Sequence, residues 1–291
     1  MLPVLSPSAK NIVTGILFAL LWSSASVAGK YGLLSAEPLV FFNARFILAG
    51  ILLLIFAHII LKDRLPKKAE WKQLTIFGAL NTTLYLGIYI IALQQVAAGI
   101  STLAVALNPL LISSMTSVVM KRKIKTSEWI GIFLGIIGVT IATYPLLKTS
   151  YATVSGMLLM ALCMVIYSMG AVYYSSVTWA LSRATINAWQ IFIGGFLLLP
   201  FTILFYKGGN HFDFRFWASL FWLIIPVSIF AVQLWLRLLQ QDAVSASLWL
   251  FLCPVFGLIY ATWLLTEPFT VYTATGTLLV MVALYVGQKI K

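Results

Sequence analysis

The chain is a succession of apolar runs, each about as long as a bilayer is thick, joined by linkers too short to fold on their own. Ten runs can be read: 11–33, 38–61, 70–93, 97–120, 126–147, 152–175, 183–206, 215–239, 243–265 and 270–289. A helix needs about 20 apolar residues to cross the hydrocarbon. In lipid each backbone N–H and C=O must be paired within the segment, which a helix achieves and an open strand does not. Composition agrees: of 291 residues, 62% are hydrophobic and 9% charged, whereas a soluble domain carries about a quarter charged. Polar side chains are too few to cover a water-soluble globule. The expected fold is all-α and integral to a membrane, with ten transmembrane helices and no soluble domain.

The net charge of +12 could invite nucleic acid, but the basic residues lie in short clusters between runs, where they set orientation. No nucleic-acid partner is expected. The expected partners are the lipid bilayer and a small-molecule substrate, and no obligate protein partner is evident. With the N-terminus inside, fourteen of the nineteen Lys and Arg fall on the cytoplasmic side, chiefly in Lys62–Lys72 and Lys121–Lys125. Lys30, Lys148, Lys207 and Arg215 fall outside, and Arg45 lies within a run. Both termini are therefore expected in the cytoplasm. No basic n-region precedes the first run and no small-residue cleavage site follows it, so it reads as a retained helix of a multi-pass protein of the cell (inner) membrane. Cys163 and Cys253 sit inside apolar runs and read as small hydrophobes, not as a disulfide or metal pair. No metal or cofactor is expected.

A shift of 145 residues aligns the chain with itself. "NARFILAGILLL" falls on "AWQIFIGGFLLL", pairing Gly50 with Gly195; "LWSSASV" falls on "IYSMGAV", pairing Trp22 with Tyr167 and Ser23 with Ser168. "ISTLAVALNPLL" falls on "SASLWLFLCPVF", pairing Pro109 with Pro254, and Gly131 meets Gly276. Each half (1–147 and 148–291) then holds five spans. Five is odd, so the second half enters the membrane upside down, the inverted repeat typical of secondary transporters. The basic clusters agree: loops 62–72 and 121–125 are rich in Lys and Arg, and their counterparts 207–215 and 266–270 are poor.

These stretches resemble the drug/metabolite transporter superfamily, in particular its EamA-type ten-helix members. The resemblance rests on "GILFALLWSSASVAGKYG", "NARFILAG", "LNPLL" and "ASLWLFLCPVFGLIYATWLLTEP" in that order and spacing, and covers essentially the whole chain. It implies five-plus-five helices around a central cavity, with spans five and ten as scaffold. It also implies alternating access and export of small metabolites, often amino acids, with import or exchange in some relatives. One departure stands out. Glu267 follows span nine as the family pattern has it, but the matching place after span four holds Arg122 within "KRKIK"; this bears on local packing more than on substrate.

Arg45, about seven residues into span two, is the residue most in need of an explanation, because a cation in hydrocarbon costs a few kcal/mol even on lenient scales. It either offers a planar fork to a substrate carboxylate or snorkels and ties helices together; the "ARF" pattern is common in the family whatever the substrate, which favours the second. Its repeat partner is the neutral Gln190. Asn81, Tyr85 and Tyr89 recur every four residues, and Ser101, Ala104 and Asn108 follow at steps of three and four, so each set shares a helical face. Such faces line a cavity or glue helices together. Trp22, Tyr167, Gln233, Trp235 and Trp249 are candidates for aromatic or polar cavity walls, or for lipid-facing bulk. Pro109 and Pro254 each remove a helical hydrogen bond and are expected to kink their spans, as hinges or as static bends. Gly131, Gly135 and Gly138 permit close helix approach in span five.

No Asp or Glu lies in the middle of any run. Carboxylates are the usual intramembrane proton relays, so facilitated diffusion or exchange is expected over tight ion coupling. A membrane enzyme would need a clustered acid, base, nucleophile or metal set, and none can be assembled. A non-transporting subunit or sensor is the other rival, though it leaves the polar, repeated core unexplained.

Overall fold

The computed structural model describes residues 7–97, 101, 104–149, 152–265 and 270–288. Glu267, Lys289 and Lys291 lie outside them. The described residues are helical almost throughout. In chain order they form α1 (Pro7–Gly32), α2 (Pro38–Ile60), α3 (Lys68–Gln95), α4 (Asn108–Val119), α5 (Thr126–Thr149), α6 (Val154–Ser176), α7 (Arg183–Leu204), α8 (Phe214–Gln241), α9 (243–265) and α10 (Val271–Gln288). Eight of these contain stretches long and apolar enough to cross a membrane, and α5 adds a shorter apolar stretch, Thr126–Ala142.

Short polar caps decide where the helices start. Thr153, Ser182, Asp213 and Asp242 accept hydrogen bonds from the backbone N–H groups of Gly156, Thr185, Phe216 and Ser245, satisfying donors that a first turn leaves orphaned. Pro38 opens α2, where its missing N–H does no harm. The described carboxylates all sit at such ends: Glu37, Asp213 and Asp242 as N-caps, Glu70 and Glu128 in first turns, Asp63 in a loop. Negative charge there complements the helix dipole.

The loops gather on two faces. On one, Asp63 accepts from the Ser182 and Thr185 hydroxyls, and Arg64 grips Glu70 and the Ala180 carbonyl. On the same face Arg122 bridges Glu128 and Asp242. Those two carboxylates hold the Arg122 guanidinium above its ordinary pKa, hydrogen bonding to Glu128 being the larger cause. On the opposite face Glu37 meets Asn210 and the Lys207 N–H, and Gln95 accepts from Thr153 and Ser155.

Glycine sets the closest crossings. A Cβ on Gly131 would fall 2.9 Å from Ala283 O and Gly287 Cα, and one on Gly276 would fall 2.4 Å from Gly138 O and Ala142 N. Gly50 likewise abuts Phe192, and Gly195 abuts Phe46 and Ile47. In both pairs of helices, α5 with α10 and α2 with α7, low residue numbers on one meet high numbers on the other, so the partners run antiparallel. Only a missing side chain lets backbones approach this closely.

Neither proline kinks a continuous helix. Leu107 closes a turn onto the Ala104 carbonyl, 3.0 Å, and α4 begins at Asn108 with Pro109 in its first turn. In α9 a short 3₁₀ segment, Trp249–Phe251, precedes the α-helix that opens at Leu252 and holds Pro254 in its first turn. Each helix is interrupted and restarted with its proline in a first turn, where the missing N–H does little harm. Three helices also contain π-helical segments: Phe56–Ile60, Ala79–Leu84 and Leu223–Ala231.

A candidate substrate cavity

Four of the residues singled out from sequence converge at the middle of the bundle. Trp22 of α1, Arg45 of α2, and Tyr85 and Tyr89 of α3 line one cavity, joined by Phe42, Val105, Val227 and Cys253. Tyr167 stands behind it, its ring 4.8 Å from Tyr85, 6.1 Å from Trp22 and 5.8 Å from Trp235. Phe18 closes the chain of rings, stacked on Trp235 at 4.9 Å. The hydroxyl of Tyr167 is buried without a hydrogen-bond partner, an arrangement that usually costs about 1–3 kcal/mol. Free space at the centre amounts to about 20 Å³, room for a water molecule and no more. In this conformation the cavity is closed around its own side chains.

Arg45 is 2% exposed. Its Nε–H donates to the Ser228 hydroxyl at 2.9 Å, and the guanidinium lies 5.0 Å from the Phe42 ring centre and 5.5 Å from that of Phe46. Both rings can stabilise the cation through their quadrupoles. Among the described residues no carboxylate pairs with it. Arg45 does not snorkel: it ties α2 to the π-helical segment of α8, and it borders the cavity.

Gln190, at the repeat-related position, occupies a different environment. It is fully buried and accepts from Thr82 (2.8 Å) and Asn81 (3.2 Å), while its amide donates to Asn187. Asn187 in turn donates to the Ser228 carbonyl at 3.0 Å. These residues form a continuous polar tie from α3 through α7 to α8, and Asn81 and Gln190 belong to it and not to the cavity wall. Asn108 accepts from the Ser168 hydroxyl and donates to the Met164 sulfur, joining α4 to α6. Gln233 donates to the Arg183 carbonyl, away from the cavity. Trp249 lies flat against Gly15, where a Cβ would fall 2.1 Å from its ring; it fills a gap in α1.

Several participants escaped sequence reasoning. Ser228 sits in "IIPVSIFA", an apolar stretch whose only hint is Pro226 two residues earlier. Thr82 stood beside Asn81 but one position off the four-residue stripe; the π-helical turn alters which side chains share a face there. Cys253, read as a filler, borders the cavity because the helix restart at Leu252 turns it inward.

Comparison with known proteins places this architecture. A solved crystal structure superposes with a TM-score of 0.78 over 97% of both chains at 20% identity, which speaks to the fold alone. An uncharacterized transporter of Archaeoglobus fulgidus is 26% identical over 271 residues, covering 91% of this chain and 94% of its own. Protein PecM of Dickeya dadantii is 23% identical over 274 residues, 92% and 89% of the two chains. The model of the EamA-like transporter family matches residues 9–144 and again 154–286. The chain is therefore a multi-pass membrane transporter, not an enzyme, and belongs to the EamA-like transporter family of the drug/metabolite transporter superfamily.

Proposed function

We propose that this transporter exports small amphipathic metabolites that carry a carboxylate, amino acids or compounds like them, across the cell membrane by alternating access. One observation carries the reading. A fully buried cation, Arg45, borders an aromatic-walled cavity with no carboxylate to pair with it among the described residues. A buried charge retained without an ionic partner gains one when an anionic group binds, and a guanidinium suits a carboxylate in shape and donor number. Trp22, Tyr85, Tyr89 and Tyr167 would then receive the apolar body of the solute.

The working architecture in this proposal is two inverted five-helix halves, 1–147 and 148–291, with all ten helices crossing and both termini in the cytoplasm. Reciprocal contacts support it. Gly131 meets Ala283 and Gly287, while Gly276 meets Gly138 and Ala142; Gly50 meets Phe192, while Gly195 meets Ile47. Each contact becomes its counterpart when the two halves exchange by 145 residues, as a two-fold axis in the membrane plane requires. A shift of 145 also carries the π segment Ala79–Leu84 into Leu223–Ala231, and the restart at Asn108 to within one residue of that at Leu252. Those restarts, with Pro109 and Pro254, are the hinges about which the halves rock. The face that holds Lys62–Lys72 and Lys121–Lys125 is the cytoplasmic one.

Exchange or facilitated diffusion is favoured over ion coupling by the placement of the described carboxylates at helix ends and in a loop, which leaves no relay in the bundle's middle. The test is counterflow in proteoliposomes loaded with unlabelled amino acids. Labelled amino acid should accumulate in proportion to the internal pool, with no imposed pH or sodium gradient. No accumulation of any carboxylate, or accumulation only under a pH gradient, would refute the reading.

A further inference from the structure

A second cavity lies immediately behind the first. It has a volume of about 280 Å³ and is lined by Leu107 before α4, Val139 and Thr140 of α5, and Met157 and Met160 of α6. It faces out of the bundle. Its neighbours Phe133, Ile137, Leu158 and Leu162 are exposed and apolar, so bilayer hydrocarbon is what covers it. Among the described residues its one polar side chain is Thr140, whose hydroxyl donates to the Ile136 carbonyl of its own helix at 2.8 Å and keeps only acceptor capacity. Only an apolar chain can occupy such a groove favourably, and the flexible thioethers of Met157 and Met160 can adapt to its shape.

The wall between the two cavities is thin. At Ala104–Leu107 the chain makes the tight turn that precedes α4, and successive side chains of a turn point in different directions. Val105 faces the central cavity, whereas Ala104, Ala106 and Leu107 face the groove. Along Ala104–Leu107 a single stretch of chain therefore lines both cavities, with Ala104 and Ala106 its smallest side chains, and it coincides with the helix interruption. The groove opens toward the face where α6 begins, since Met157 and Met160 lie in the first two turns of that helix.

We propose that this groove is a lateral port: the apolar tail of an amphipathic solute dissolved in the bilayer lodges between Leu107, Met157 and Met160 and passes the Ala104–Leu107 turn to reach the central cavity. The inference rests on the reading of that cavity as the transport site. It implies that alkyl- or aryl-bearing solutes exchange with the cavity through the leaflet, while compact polar solutes use the water-facing route.

Cys253 borders the central cavity and can report arrivals there, with Cys163→Ala removing the other thiol. Two maleimides are compared, an N-dodecyl reagent delivered in the membrane and a sulfonated reagent confined to water. The native groove should admit the alkyl reagent to Cys253. Leu107→Trp, and independently Met157→Trp, should slow that reaction at least tenfold and leave the sulfonated reagent within twofold. Phe133→Trp, on the lipid face of α5 but off the groove, should change neither. Equal alkyl rates in all proteins, equal slowing by Phe133→Trp, or no alkyl labelling of Cys253 would each overturn the port. Counterflow of a soluble carboxylate by Met157→Trp, which lies on the groove but off the hinge turn, separates the two ideas. It should match the native protein, and a native protein that shows no counterflow condemns the carrier reading by itself, whatever the labelling shows.

Discussion

Replacing Arg45 by Gln puts the repeat-related side chain at both positions and isolates the charge. Two opposing effects act on the fold. The substitution removes the cation over Phe42 and Phe46, worth about 0.5–2 kcal/mol per ring. It also removes the desolvation penalty of a fully buried charge, which is several kcal/mol, and the Gln amide can still donate to Ser228. The terms nearly cancel, so the thermal midpoint should stay within about 3 °C of native. Binding has no such compensation. If a carboxylate takes two charge-assisted hydrogen bonds from the guanidinium at about 1.5 kcal/mol each, losing them costs about 3 kcal/mol, or roughly 100-fold in affinity. Counterflow with a carboxylate substrate should show its half-saturation concentration raised by about that factor. The neutral amide of the same substrate, which never used the charge, should shift less than about threefold. Equal losses for carboxylate and amide, or none for either, would refute the anchor and leave Arg45 as a helix tie alone.

The close crossings make sharper claims about stability. Gly276→Val places a side chain against backbone of α5 that cannot yield, 2.4 Å from Ala142 N and Gly138 O; it should lower stability by at least about 1–3 kcal/mol, while Leu278→Val on the lipid side leaves the unfolding midpoint nearly unchanged. Gly15→Ala should displace the Trp249 ring and destabilise, and adding Trp249→Leu should restore at least half of the loss. Additive effects in that cycle would mean that the ring is not wedged on Gly15.

How much of this was legible beforehand follows from what lipid does to sequence. Apolar length marks each helix strongly, and polar caps such as Thr153, Ser182 and Asp242 mark where helices begin. Of the glycines of span five, expected at a close crossing, Gly131 and Gly138 lie against α10, while Gly135 meets the Phe251 ring of α9. The faces were harder. In water a helix declares its buried side by hydrophobicity, but in a bilayer both the packed side and the lipid side are apolar, so Trp22 and Trp249 looked alike. One borders the cavity and the other plugs a gap at Gly15. The stripe Asn81, Tyr85 and Tyr89 divides for a related reason. The π segment at Ala79–Leu84 turns Asn81 toward Gln190, while the two tyrosines face the cavity.

By itself the sequence determined that this protein is an all-helical, multi-pass membrane protein, because bilayer thickness sets the length of an apolar run; the two inverted halves belong to the proposed architecture. It also singled out Arg45, since a lone cation in such a run is too costly to be incidental. Tertiary structure alone decided what surrounds that cation. The pairing with Ser228 and the rings at its side depend on the rotation of each helix about its axis. So does the thin wall at Ala104–Leu107 that separates the cavity from the lipid. Rotation is set by the summed packing of many small contacts, and no single run of residues records it.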